Sequence, residues 1–510
     1  MAPWTIASLL DTATGYLREK GSTSPRLDAE VLLAESLETD RVRLYTEFDR
    51  PLSTEEVDRY RALVARRAAR EPVAYITGRA HFRHLVLEVS PAVLIPRPET
   101  EELVDIALQS LRRRPLLGEG VGGPLVVDVG TGSGAIAVSL AQEAGVRVLA
   151  VDSSAEASQL AARNAVAAGV EGLVEFREAD LLTGVAAGSL RLVVSNPPYV
   201  RTGDMASLDL DIRLYEPASA LDAGPDGQAC FRRLLPAAAR ALGPGGSAIL
   251  EVGDGQAGIV ATLAREAGFH LITVHKDMSQ KDRMVEATLP GALAMAVEGL
   301  DATNTGLLKA ALREGAVIGV PTDTVYGIGA AWDSSVGVRK LFEAKGRPAE
   351  QPVAVLFPSV EAVEEAVSDL DEACVRVLRA LLPGPFTFVV TTTVSRPPDV
   401  GSVDSLGVRV PGDPCLSDLL RRLDTPLAAT SANVSGGREV PDLSGADPEV
   451  LAHCSVAFRG PVARSGDVRL KPAASTVVDL RPLGEGGVPV VIREGVVQAG
   501  SVLERIAALF

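Results

Sequence analysis

The chain has 510 residues, a formal net charge of −16, 46% hydrophobic residues and only 4% aromatic ones. That apolar share supplies globular cores for two or three domains, while the acidic balance speaks against broad electrostatic binding to nucleic acid and leaves room only for a local basic groove. The 4 cysteines are scattered without a C-x-x-C pair, which fits a reducing, cytoplasmic setting and offers no structural zinc site.

In chain order, residues 1–80 read as a helical domain. The start carries Asp11 inside its apolar stretch and lacks a basic leader, so a signal peptide is not expected. No run approaches the ~20 apolar residues of a membrane helix, and no membrane partner is expected. AEVLLAESL (29–37) has apolar residues at helical spacing, and TEEVDRYRALVARRAAR (54–70) opens on a Ser53/Thr54 cap with acids in its first turn. Arg66, Arg67 and Arg70 read as a solvated basic face. In AHFRH, His81 and His84 fall on opposite faces if the segment is extended, and no carboxylate or thiol completes a ligand set, so no metal site is expected. IPRPET (95–100) suits a helix start, with Pro98 near its first position and acids in the first turn.

From Leu125 the pattern becomes strand, turn, helix, strand. LVVDVG, VRVLAVD, LRLVVSN and GSAILEVG alternate with alanine-rich helical segments, which predicts a parallel α/β sheet over residues 81–290. VVDVGTGSGAIAV sets Asp128, Gly130, Thr131, Gly132, Ser133 and Gly134 where a strand turns into a helix, a place for backbone to approach a ligand closely. Dinucleotide folds share such a turn, so a nicotinamide enzyme is the minor alternative. Asp128 before the first glycine, and Asp152 at the end of the next strand, placed for ribose hydroxyls, favour a different donor. This D-x-G-x-G-x-G pattern followed by Asp resembles the S-adenosylmethionine-dependent methyltransferases.

VSNPPYV (194–200) ends the next strand in a rigid, donor-poor corner. An amide nitrogen is a poor nucleophile, and acceptors that hold its N–H groups aim its lone pair at an activated methyl. Asn196 and the Pro197 carbonyl suit that task, with Pro198 fixing the corner and Tyr199 offered to a planar group. NPPY is shared by methyltransferases of adenine, cytosine and protein glutamine. Together with PVAYITGRAHFRHLVLEVSPAVLIPRPETEELV (72–104), LYEPASALDAGPDG (214–227) and LGPGGSAILEVGDGQ (242–256), it makes residues 1–290 similar to the release-factor glutamine methyltransferases. The resemblance implies a release-factor-docking helical domain, S-adenosylmethionine bordered by Gly130 to Gly134, Asp152 and Leu181, with Asp180 beside the adenine, and a glutamine held by Asn196 to Tyr199. The target would be the Gly-Gly-Gln motif of peptide-chain release factors. An adenine-N6-type nucleic-acid methyltransferase is the runner-up, set back by the acidic composition.

Residues 291–302 read as a linker, and 303–510 as a second α/β domain with a mixed sheet, because its strands do not alternate strictly with helices. No P-loop or nucleophile triad stands out. KGRP (345–348) pairs Lys345 with Arg347, a point charge and a planar fork suited to polyphosphate. TSANVSGG (430–437) is a polar turn containing Ser431 and Asn433. With PTDTVYGIG, PGPFTFVV, VRVP, STVVDL and IREG, these motifs resemble the threonylcarbamoyl-AMP synthase (YrdC-like) family. That family condenses L-threonine, bicarbonate and ATP with Mg2+, which implies Lys345, Arg347, Ser431, Asn433 and Arg493 on the nucleotide and Thr324, Arg409 and Ser475 on the threonine side. tRNA and tRNA-modification proteins are further partners that it suggests. Leu356 stands where many members have histidine, and Gln351 where asparagine is frequent. A C-terminal RNA-binding or regulatory module without synthase activity is the alternative. The expected whole is a multidomain α/β chain: a helical domain, a Rossmann-like methyltransferase domain and a YrdC-like domain with a mixed twisted sheet.

Overall fold

A computed structural model describes residues 4–114, 125–346, 353–394, 400, 404–434, 437–460 and 473–510. The N-terminal segment forms helices Ile6–Glu19, Pro25–Ser36, Arg41–Thr46, Thr54–Ala68 and Val73–Thr77. Ser53 and Glu56 close a reciprocal capping box at the fourth of these, as the S-x-x-E spacing predicts. Leu10, Leu17, Leu32, Leu33 and Tyr60 fill the core between them. The basic face differs from expectation at Arg67. Its guanidinium is buried and donates to Asp28 (2.7 Å) and Asp211 (2.8 Å), and Arg70 pairs with the same Asp211 (2.5 Å). Asp211 lies in the short helix Leu210–Tyr215 after NPPY, so Arg67 and Arg70 face another domain instead of water. Arg66 does remain at the surface, paired with Glu71.

A hairpin follows, Arg79–Phe82 against Leu85–Glu88, with His81 in its first strand and His84 in its turn. The central sheet has seven strands, in the order Val174–Glu178, Val148–Asp152, Val126–Val129, Leu190–Ser195, Leu242–Glu251, Asp282–Thr288, Leu271–Lys276. The first five run parallel and the last two join antiparallel. Because the chain leaves the middle strand Val126–Val129 to one side and later returns on the other, the carboxyl ends of neighbouring strands open a crevice, the usual ligand place in such sheets. Val127, Val151, Val193 and Leu250 bury one face and Val126, Ala150 and Val194 the other.

The C-terminal domain is built on a ten-stranded mixed sheet. Its centre pairs Gly327–Ala331 with Leu427–Ser431 antiparallel, while Ala354–Leu356 and Ser405–Arg409 run parallel. Part of 291–302 belongs to this sheet: Leu293–Ala296 pairs parallel with Cys454–Arg459 as an edge strand. Among the described residues no helix is long and apolar enough to cross a membrane.

Candidate active sites

The crevice of the seven-stranded sheet is a cavity of about 390 Å³ into which three strand ends deliver their following residues. After Val126–Val129 comes the glycine turn. Gly130, Gly132 and Gly134 have φ of 75°, 55° and 82°, the left-handed region that side chains resist. A Cβ on Gly134 would meet that of Ala161 at 3.0 Å, whereas one on Gly130 would meet nothing within 4 Å. Gly134 is therefore a packing glycine and Gly130 a turn glycine beside open space. After Val148–Asp152 the Asp152 carboxylate accepts from Gly132 N and Ser154 N, both at 2.9 Å, which pins the turn to the neighbouring strand. Beneath it Asp128 accepts from Thr131 Oγ1 (2.7 Å) and Ala137 N (3.1 Å), with its other oxygen buried and unpartnered. Burial pushes the Asp128 carboxyl up to about 7. Thr131, Ser133, Asp180 and Leu181 also line the cavity, Leu181 with a positive φ of 52°.

Leu190–Ser195 delivers Asn196, Pro197 and Pro198 to the same cavity. Asn196 Nδ2 donates to Thr100 Oγ1 (3.0 Å), and Thr100 donates to Glu251 (2.7 Å). The amide is thereby oriented with its nitrogen spent on protein and Oδ1 left for a ligand donor. Burial raises the Glu251 carboxyl to about 7, opposed by the Thr100 hydrogen bond. The Tyr199 ring, expected beside a ligand, packs instead with the sheet core and turns its hydroxyl toward Glu251 at 3.4 Å. Thr100 and Glu251 were not singled out from the sequence. Thr100 stands in IPRPET and Glu251 in GSAILEVG, but only the fold brings them together. Glu216 is another, accepting from Arg97 (2.5 Å) and Ile95 N (3.3 Å) to tie the YEP segment to the IPRPET entry.

The C-terminal sheet holds a second cavity of about 370 Å³, lined by Arg409, Ser431, Ser475 and Arg493 and floored in part by Leu356. Lys345 ends helix Ser335–Lys345, and Gly346 closes it in the left-handed conformation. The lysine is buried, and its Nζ donates to Ser431 O (2.9 Å), Ser431 Oγ (3.1 Å), Asn433 Oδ1 (2.8 Å) and Asn433 O. The structure thus joins the KGRP and TSANV motifs through Lys345. Arg409 donates to Asp323 and to Thr324 Oγ1 (2.9 Å), locking PTDT to VRVP. Arg493 donates to Ser475 O (3.1 Å), and the Ser475 and Thr387 hydroxyls share a 2.8 Å bond. Arg347 and Gln351 lie outside the described residues. Thr322, whose hydroxyl caps the PTDT turn by accepting from Thr324 N and Val325 N, escaped the sequence reading, as did Glu439, a carboxylate on the cavity wall.

Comparison with known proteins follows the same division. The PrmC N-terminal domain model matches residues 8–78, and the methyltransferase small domain model matches 119–228. The Sua5/YciO/YrdC model, described as telomere recombination, matches 310–495. The release factor glutamine methyltransferase of Geobacter sulfurreducens is 43% identical over 283 residues, 55% of this chain and 96% of the relative. That of Rhodopirellula baltica is 38% identical over 286 residues, 56% and 96% respectively. A solved P. abyssi Sua5 complexed with L-threonine is 26% identical, with a TM-score of 0.35, over 42% of this chain and 60% of that one, less than two thirds of its length. Because nearly the whole of such relatives is matched at this identity, the chain belongs to the release factor glutamine methyltransferase family, and it carries a Sua5/YrdC domain behind the methyltransferase.

Proposed function

We propose that residues 1–290 methylate the side-chain amide of the glutamine in the Gly-Gly-Gln motif of a peptide-chain release factor. The observation that carries this reading is Asn196, pinned by Thr100 and Glu251 in the same cavity as the glycine turn. The cavity's chemistry suits S-adenosylmethionine: backbone of Gly130 to Ser133 at a helix start for the carboxylate, Asp152 for ribose hydroxyls, and Leu181 and Ile136 as apolar wall. Bound there, S-adenosylmethionine supplies an already activated methyl group. Asn196 Oδ1 and the Pro197 carbonyl accept the two N–H bonds of the glutamine amide and point its lone pair at the donor side. As the amide nitrogen gains the methyl and the sulfonium C–S bond breaks, the amide sheds one proton, which these acceptors orient and water finally takes. No strong base is required, so the rate rests on orientation. Labelled methyl from S-adenosylmethionine should enter a release factor and not tRNA when both are offered; label in tRNA overturns the assignment.

The C-terminal domain, in the same reading, joins L-threonine, bicarbonate and ATP into threonylcarbamoyl-AMP with release of pyrophosphate. Its support is the convergence of Ser431, Arg409, Ser475 and Arg493 on one cavity, with Lys345 and Asn433 bonded to each other and to Ser431 at its edge. Arg493, and Lys345 through the Ser431–Asn433 turn, serve the ATP phosphates, while Arg409, Thr324 and Ser475 face threonine. Glu439 is the one carboxylate on the described cavity wall, which suits an Mg2+ that keeps waters and phosphate ligands. Fixed positive charge stabilises the departing pyrophosphate. Pyrophosphate release by the full chain should require threonine, bicarbonate and ATP together. ATP binding without any release would instead make the domain a binding module.

A further inference from the structure

Between the methyltransferase and C-terminal sheets lies a third cavity, of about 220 Å³, that neither activity uses. Arg113 and Arg114, at the end of helix Pro98–Arg113, enter it from one side, and Lys340 and His453 from the other. Arg114 donates to Ser247, Thr288 and Ala452 O, and Lys340 donates to Gly315 O. Arg113 Nη2 is buried with no partner among the described residues.

The acids present do not balance these cations. Glu286 already accepts from His275 at 3.0 Å and stands 3.9 Å from Arg114, beyond hydrogen-bond reach. Glu343 is exposed on the rim. Arg191 adds a further charge behind Arg114, and burial together with Arg114 lowers it to about 10. The crowding bears on ionisation as well as on geometry. Burial, with Arg113 and Arg114 next, depresses the Lys340 ammonium to about 8. Burial, with Arg114 and Lys340 next, depresses His453 to about 4. Burial would raise Glu286, yet His275 and the two arginines hold it down at about 2. Hydroxyls of Ser110, Thr288 and Ser455 complete the wall. Clustered cations with spare donors, in a partly dry cavity roomy enough for a tetrahedral oxyanion, make a place that an anion would relieve.

We propose that this interdomain cavity binds a phosphate-class oxyanion, gripped by Arg113 and Arg114 of the methyltransferase domain and Lys340 of the C-terminal domain. Arginine forks suit its oxygens in pairs, and the lysine adds a point charge from the opposite wall. Such an anion bridges both domains and favours their docked arrangement by mass action.

The test is calorimetric titration of the full chain with phosphate, pyrophosphate and ATP at constant ionic strength, with chloride as the balancing salt. Comparing the three separates a free oxyanion from the phosphate tail of a nucleotide. Ser431→Ala/Asn433→Ala removes hydroxyl and amide ligands of the other candidate phosphate site and should leave binding of phosphate or pyrophosphate in place. Arg113→Gln/Lys340→Gln should weaken it at least ten-fold. Lys340→Gln alone, which touches only one backbone carbonyl, should weaken it several-fold and guards against a misfolded double variant. Wild-type affinity in Lys340→Gln and in the double variant overturns the proposal. So does loss of all binding in Ser431→Ala/Asn433→Ala, or no binding above chloride in the wild type.

Discussion

The Asn196 amide donates one N–H to Thr100, which fixes the direction in which its oxygen faces the cavity. Asn196→Ala removes that acceptor without touching the glycine turn or Asp152. Methyl transfer to a release factor should fall by about 100-fold or more, the scale of a misplaced reacting group, while calorimetry should find S-adenosylmethionine binding intact. Glu251 anchors the same relay at a cost. Its folded carboxyl titrates near 7 against an ordinary value of 4.5, chiefly through burial. A raised acid binds its proton more tightly in the folded state, so the contribution of Glu251 to stability is greatest below pH 4.5 and is lost as pH climbs through 7. Glu251→Gln keeps an oxygen for Thr100 and removes the titration. At pH 8 it should be more stable than the wild type by about 1–3 kcal/mol, given 1.36 kcal/mol per unit, and denaturant midpoints measured from pH 4.5 to 8 should fall less steeply than in the wild type, the remaining slope including that of Asp128.

At the level of elements, the glycine turn separates two jobs that its sequence leaves merged. Gly134→Ala forces a Cβ to 3.0 Å from Ala161 at a positive φ, and should cost about 2–4 kcal/mol through left-handed strain and overpacking between helices Ala135–Ala144 and Ala155–Ala167. Gly130→Ala has open space around it and should cost only about 1–2 kcal/mol, yet weaken S-adenosylmethionine binding, because its φ of 75° shapes the turn. Thermal melts and binding isotherms on the pair distinguish these roles. The turn itself was readable because all its residues are contiguous. So was the strand–helix alternation, since each buried parallel strand needs an apolar run of its own. Strand order was not readable: Val126–Val129 sits between strands that follow it, and the antiparallel Asp282–Thr288 and Leu271–Lys276 pair is set by edge contacts and not by local pattern. Site partners far apart in sequence were equally hidden. Thr100 meets Glu251 from 151 residues away, and Lys345 meets Asn433 from 88. Arg67 misled for the same reason, looking like a surface cation until Asp28 and Asp211 enclosed it.

Across the whole molecule, the methyltransferase and C-terminal domains are more than tethered. Arg114 donates to Ser247 and Thr288 within the methyltransferase sheet and to Ala452 O across the boundary. Ser455 donates back to Arg113 O, and Gly291 N donates to Pro448 O at 2.9 Å. These are polar contacts, and polar interfaces between domains move unless something specific holds them. Arg114 bonds to both sides at once, and burial lowers its pKa from the ordinary value. Arg114→Ala leaves the Ser247 and Thr288 hydroxyls with each other only and takes the arginine donor from the Ala452 carbonyl. The expected loss is about 2–4 kcal/mol, the range for breaking one side of a buried charged network. Because the two cores are otherwise separate, that loss should appear as decoupling: scanning calorimetry should resolve two transitions where the wild type shows overlapping or merged ones. A single transition at the wild-type temperature would mean that Arg114 does not couple the domains, and the backbone contacts at Gly291 and Pro448 would then be the next to test.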